Sequence, residues 1–93
     1  MYRFRLYVAD DTQNSVRAVA NLAAFCREFL PDRHEIEVVD VFRHPTRALS
    51  DGILMTPTLF KLAPLPAQRI VGTLSETQAV LDILGLDSRD LAA

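Results

Sequence analysis

The chain has one cysteine, one lysine, three glycines and no apolar run near the ~20 residues of a membrane span. Each scarcity closes off a class of protein. A single cysteine, Cys26, can form neither an internal disulfide nor a Cys-x-x-Cys redox pair, and a reducing cytoplasm is the expected compartment. Gly52, Gly72 and Gly85 stand isolated, so no phosphate-cradling loop is present. A net charge of −2 gives no general drive toward nucleic acid or an acidic membrane. The N-terminus enters an alternating pattern rather than an apolar leader, so no secretory signal is expected.

What is present is a globular composition, 49% hydrophobic and 24% charged over 93 residues. That length supports a single domain, residues 1–93, which buries about 60–65% of its unfolded surface and depends on good packing. Nine arginines against one lysine favour forked contacts to carboxylates, a weak pointer to protein partners.

Residues Tyr2 to Ala9 alternate, with Tyr2, Phe4, Leu6 and Val8 on one face, which predicts a strand. A polar turn at 10–13 leads to a helix capped by Thr12 or Asn14 and running to about Leu30. Its apolar stripe is read as Val16, Val19, Leu22, Ala23, Cys26, Phe29 and Leu30, and Pro31 stops it. Glu35 to Phe42 reads as a second strand, parallel to the first and covered on both faces. Pro45 opens a short helix that closes by Gly52. Residues 58–63 and 67–73 read as an antiparallel hairpin across Pro64, Leu65 and Pro66. "SETQ" from Ser75 is a capping-box pattern for a last helix ending at Gly85. The resulting order, βαβαββα, is that of a single thioredoxin-like α/β domain.

In such a fold the turn after the first strand carries the chemistry, and here it reads Asp11, Thr12, Gln13 and Asn14, without a thiol. Cys26 lies toward the other end of the helix on its apolar side, where a small buried hydrophobe is the reading. His34 and His44, ten residues apart across one strand, would sit about 30 Å from each other and assemble no metal site. Asp10 and Asp11 without further ligands read as a polar turn. Asp40 reads as a turn acceptor at a strand end, or as a buried carboxylate needing a partner. The segment at 55–59, "MTPTL", matches the x-Pro-Thr stretch that precedes the third strand of these folds, and Pro57 is cis or trans there.

The stretches "LYVADDTQNSVRA", "VVDVFRHP" and "ILMTPTLFKLAPLPAQRIVG" together resemble the KaiB family of circadian clock proteins, from about Leu6 to Leu81. The matching positions include Thr12, Asn14, Ser15, Asp40, Pro45, Pro57, Lys61, Pro64, Pro66, Arg69 and Gly72. The resemblance implies a non-enzymatic protein without cofactor or metal, which docks onto a KaiC-type ATPase ring and modulates its phosphorylation state. It implies a KaiA-type protein and the pathway of a KaiB-like sensor histidine kinase as further partners. It also implies fold switching between a thioredoxin-like monomer and a tetramer of order βαββααβ. Asn14, Arg17, Lys61 and Arg69 become partner-binding candidates, and Pro57, Pro64, Pro66 and Ile83 candidates for setting fold state and proline isomer.

Departures from the family pattern are Asp10 for a glycine, Gln13 for a proline, Gln68 for an arginine and Thr73 for an aspartate. They leave open an adaptor in non-clock signalling or stress response, docking to a histidine kinase or another ATPase. Ile83 stands where many relatives carry glycine, and a helix interior free of glycine favours the thioredoxin-like state. A thioredoxin-fold redox protein or transferase is the reading the missing Cys-x-x-Cys argues against.

Overall fold

The computed structural model describes residues 1–86, so the last seven residues of the expected domain lie outside the described ones. The elements are β1 (Tyr2–Val8), α1 (Gln13–Phe29), β2 (His34–Asp40), α2 (Pro45–Ser50), β3 (Thr58–Ala63), β4 (Gln68–Val71) and α3 (Thr77–Leu84). This is the expected βαβαββα order. The sheet order is β2-β1-β3-β4: β2 runs parallel to β1, while β3 is antiparallel to both β1 and β4.

Alternation along β1 divides the molecule. Phe4, Leu6 and Val8 face α1 and α3, where Leu22, Cys26, Leu59, Leu81 and Leu84 complete the main core. Tyr7 points to the other face, into a smaller cluster with Val39 and Ala48 beneath α2. Six residues of α2 cover only part of that face, so Arg3 and Arg5 meet water beside Glu35 and Glu37.

Three expectations are corrected. First, β2 is an edge strand, not one covered on both faces, and Val38 is 48% exposed. It ends at Asp40 because that carboxylate accepts the Phe42 N–H at 2.8 Å, and its carbonyl accepts those of Arg43 and His44. This turn replaces further ladder bonds, as Asp side chains commonly do. Second, α1 buries Ser15, Ala18, Leu22, Phe25 and Cys26, so Val16 and Val19 lie on its flank at 55% and 38% exposure. The two apolar strips adjoin on the helix, and the one carrying Leu22, Phe25 and Cys26 is the one that packs on the sheet. Third, neither expected capping bond forms. Thr12 takes the N-cap position of α1, but its hydroxyl donates to Ser15 Oγ; Ser75 precedes a helix whose N-cap is Glu76, with Leu74 at φ +63° just before it. Gly85 does end α3 in the left-handed conformation, at φ +71°.

Candidate functional site

The turn after β1 is built around a buried hydroxyl. Ser15 Oγ accepts the Ala9 N–H at 2.9 Å and the Thr12 hydroxyl at 2.8 Å, which ties the end of β1 to the first turn of α1. Asp10 sits at φ +52°, a conformation glycine adopts freely and aspartate tolerates through its short polar side chain. Gln13 and Asn14 are exposed. Cys26 is fully buried away from this turn, and burial pushes its thiol up to about 11. A thiol so protonated is a poor nucleophile at neutral pH. His34 Nδ1 lies 2.7 Å from the Leu30 carbonyl, and His44 takes the N-cap position of α2. Among the described residues, no three potential ligands gather around a metal position.

On the opposite face of the sheet, charge is concentrated. Arg5 of β1 donates to Glu37 of β2 at 2.8 Å and to Asp51 at 3.2 Å, and Arg47 of α2 donates to the same Glu37 oxygen at 2.9 Å. The buried Tyr7 hydroxyl also donates to Asp51. Arg47 and then Arg5 hold the Glu37 carboxyl down at about 2. The Tyr7 hydroxyl, and after it Arg5, holds Asp51 below its ordinary value. Tyr7 is pushed up, first by burial and then by that carboxylate. Arg69 of β4 reaches the same place, donating to the Asp51 carbonyl at 2.9 Å with its guanidinium 4.7 Å from the Phe60 ring centroid. One end of α2 is therefore tied to β1, β2 and β4 together.

Sequence reasoning did not find this network. Its signal was present as Arg3 and Arg5 on one side of β1 and Glu35 and Glu37 at the same spacing in β2. Only the parallel register, Arg3 opposite Glu35 and Arg5 opposite Glu37, turns those spacings into ion pairs.

The segment ahead of β3 is also exposed. Leu54 and Met55, at 94% and 64% exposure, share a cavity of about 210 Å³ with Phe42, which is 72% exposed. The Thr58 hydroxyl donates to the Met55 carbonyl at 2.6 Å and shapes the turn. The Thr56–Pro57, Ala63–Pro64 and Leu65–Pro66 bonds are all cis. Pro57 is buried, whereas Pro64 and Pro66 are exposed in the β3–β4 turn.

The residues singled out from sequence do not converge on one patch. Arg17 and Asn14 are exposed at the start of α1, while Arg69 lies across the sheet on the α2 face. Lys61 is 4% exposed, paired in register with Gln68 beneath α3, so in this fold its side chain is not offered to a partner. Ile83, 40% exposed, lines a groove of about 300 Å³ between β4 and α3, and its carbonyl accepts Gln68 Nε2. The outer side of β4 has no strand partner, and Asn21 Nδ2 of α1 donates to the Thr73 carbonyl beside it at 2.8 Å. That bond ties the middle of α1 to the chain just beyond β4.

A sequence profile of the KaiB domain matches residues 5–86. Circadian clock protein KaiB3 of Synechocystis sp. is 45% identical over 83 residues, 89% of this chain and 79% of that one. Circadian clock oscillator protein KaiB of Synechococcus elongatus is 44% identical over 86 residues, 92% of this chain and 82% of that one. Among solved structures, the N-terminal domain of Synechococcus elongatus SasA superposes with a TM-score of 0.73 at 18% identity, covering 90% of this chain and 83% of that one. Chloroplastic thioredoxin z gives a TM-score of 0.70 at 20% identity, covering 91% and 80%. These two likenesses establish a thioredoxin-like fold.

Proposed function

This chain belongs to the KaiB family, and from that premise we propose that it is a non-enzymatic regulator that docks onto a KaiC-type ATPase ring. The observation that supports this reading is the open β4 edge beside an apolar groove between β4 and α3, on a thioredoxin-like frame that also exposes Asn14 and Arg17 on α1. The turn that would hold a redox pair carries Asp11, Thr12, Gln13 and Asn14, which fits binding rather than electron transfer.

Docking uses the β4 edge, with Asn14 and Arg17 exposed on α1 and Arg69 on the α2 face of the sheet. Lys61, buried in this fold, is not part of that surface. The thioredoxin-like monomer is the binding state, and the uninterrupted α3 through Ile83 supports it over the rearranged tetramer. Pro57, Pro64 and Pro66 belong to the segments that such a rearrangement would rebuild. A KaiA-type protein and the pathway of a sensor histidine kinase are the further partners, and the cytoplasm is the compartment.

Size-exclusion chromatography with light scattering tests this, on dilute protein alone and mixed with a KaiC-type ATPase and nucleotide. The expected result is a 10.4 kDa monomer that co-elutes with the ring, with binding weakened by Arg17→Glu. A resting tetramer would overturn the assignment of fold state. A monomer that ignores the ring would overturn the partner and direct the search to kinases or other ATPases.

A further inference from the structure

The cover over Tyr7 is held by polar bonds more than by packing. Of the residues of α2 only Ala48 is buried, and Leu49 points to water. Beneath the helix lie Tyr7 and Val39, both buried, with Ile53 and Phe60 at the margin. A helix of fewer than two turns is unstable by itself, so α2 persists only while something holds it down. One buried methyl group supplies little of that hold. The rest comes from Arg47, which donates to Glu37 at 2.9 Å, and from the two residues that follow the helix. The Asp51 carboxylate accepts Arg5 at 3.2 Å and the Tyr7 hydroxyl. The carbonyls of Asp51 and Gly52 accept Arg69 at 2.9 and 3.4 Å.

Water reaches these bonds, since the side chains of Arg47, Glu37 and Asp51 are a third to a half exposed. Bonds so placed are among the first that solvent replaces. The two ends of the segment are instead fixed by turns of their own. Before the helix, the Asp40 carboxylate accepts the Phe42 N–H; after it, the Thr58 hydroxyl donates to the Met55 carbonyl. Neither turn depends on Asp51. Residues 45–54 are therefore free to leave the sheet between two anchored points, while β1, β2 and β3 stay paired.

We infer that residues 45–54 form a hinged lid, latched by Asp51, which opens as a unit without unfolding the main core. Opening uncovers Tyr7, Val39 and Phe60, an apolar patch flanked by Arg5 and Arg69. The lid belongs to the α2 face and does not rest on the ring-docking reading.

Hydrogen exchange of single amides, followed by NMR on the 93-residue chain in urea up to about 1 M, tests it. The amides of Asp51, Gly52 and Ile53, bonded to the Arg47, Leu49 and Ala48 carbonyls, report the lid. Those of Leu6 and Leu59, on the inner strands, report the core. The lid amides are expected to exchange at least about a hundredfold faster than the core amides, with little dependence on urea, because opening the lid exposes little surface. Val80→Ala, in the main core, speeds the core amides about tenfold and leaves the lid amides within about threefold, since Val80 keeps its contacts when the lid opens. Asp51→Asn weakens the charge-assisted bonds and speeds the lid amides about tenfold. Circular dichroism establishes that both variants keep the fold. Lid amides that exchange at the core rate, with the urea dependence of the core, overturn the proposal, because α2 then opens only in global unfolding. Lid amides sped by Val80→Ala as much as the core overturn it for the same reason. Lid amides indifferent to Asp51→Asn overturn it as well, because the latch then stays closed as the helix opens.

Discussion

The guanidinium of Arg69 lies 4.7 Å from the centroid of the Phe60 ring, on the neighbouring strand and directly opposite in register. From there it donates to the Asp51 carbonyl at 2.9 Å, so one side chain of β4 clasps the end of α2. Arg69→Ala removes the ring contact and the hydrogen bond and is expected to cost about 1–2 kcal/mol in a urea melt. Arg69→Lys keeps the charge without the planar fork and recovers less than half of that. A melt unchanged by Arg69→Ala would mean that the clasp contributes nothing to the fold.

Acid should loosen the α2 face through Glu37. Its folded pKa, about 2, lies below the ordinary 4.5, so its contribution is fully present above pH 4.5 and is lost as pH falls toward 2. Asp51 is lowered in the same direction and adds to the loss below its ordinary 3.8. Glu37 is 48% exposed, so solvent screening keeps the effect small. Thermal melts between pH 6 and pH 2 are expected to show a shallower acid decline in Glu37→Gln than in the wild type.

Cys26 should behave as a core atom rather than a reagent. With its thiol raised to about 11 and no exposed surface, it should resist alkylation by iodoacetamide at pH 8 and react at once in denaturant. Rapid labelling of the native protein would contradict the burial described.

Gly85 ends α3 at φ +71°, and an added Cβ there would meet nothing within 4 Å among the described residues. Gly85→Ala is therefore penalised by backbone conformation alone, by about 1 kcal/mol. Asp10, at φ +52°, is the converse case, and Asp10→Gly should raise the melting temperature by a few degrees if its strain exceeds the entropy glycine adds to the unfolded chain.

Much of the frame was legible in order, and less of it in orientation. Thr58–Ala63 emerges with the bounds read from the sequence, and Pro45 opens α2 as its fixed φ predisposes it to do. The α1 stripe was displaced toward one flank, leaving out the buried Ala18 and Phe25, because two apolar strips adjoin on that helix and periodicity cannot say which of them meets the sheet. β2 was read as covered on both faces because Val38, Val39 and Val41 are apolar, yet of these only Val39 is buried. Lys61 and Arg69 were grouped by the family resemblance, and the sheet then sent one to the buried helix-covered face and the other to the α2 face.

The sequence by itself determined the kinds of element, their order, the stops at Pro31 and Gly85, and the lack of a thiol at the first turn. Those properties depend on residues within a few positions of one another, through backbone sterics, spacing and side-chain chemistry. Only the tertiary structure decided which strands lie at the edges, which flank of α1 is left bare, and that Arg5, Tyr7, Glu37, Arg47 and Asp51 form one network. Those depend on strand register and on which elements cover which. Both are set by packing between residues far apart in the chain, such as Arg3 and Ala63, 60 positions apart and paired in register, which no local pattern contains.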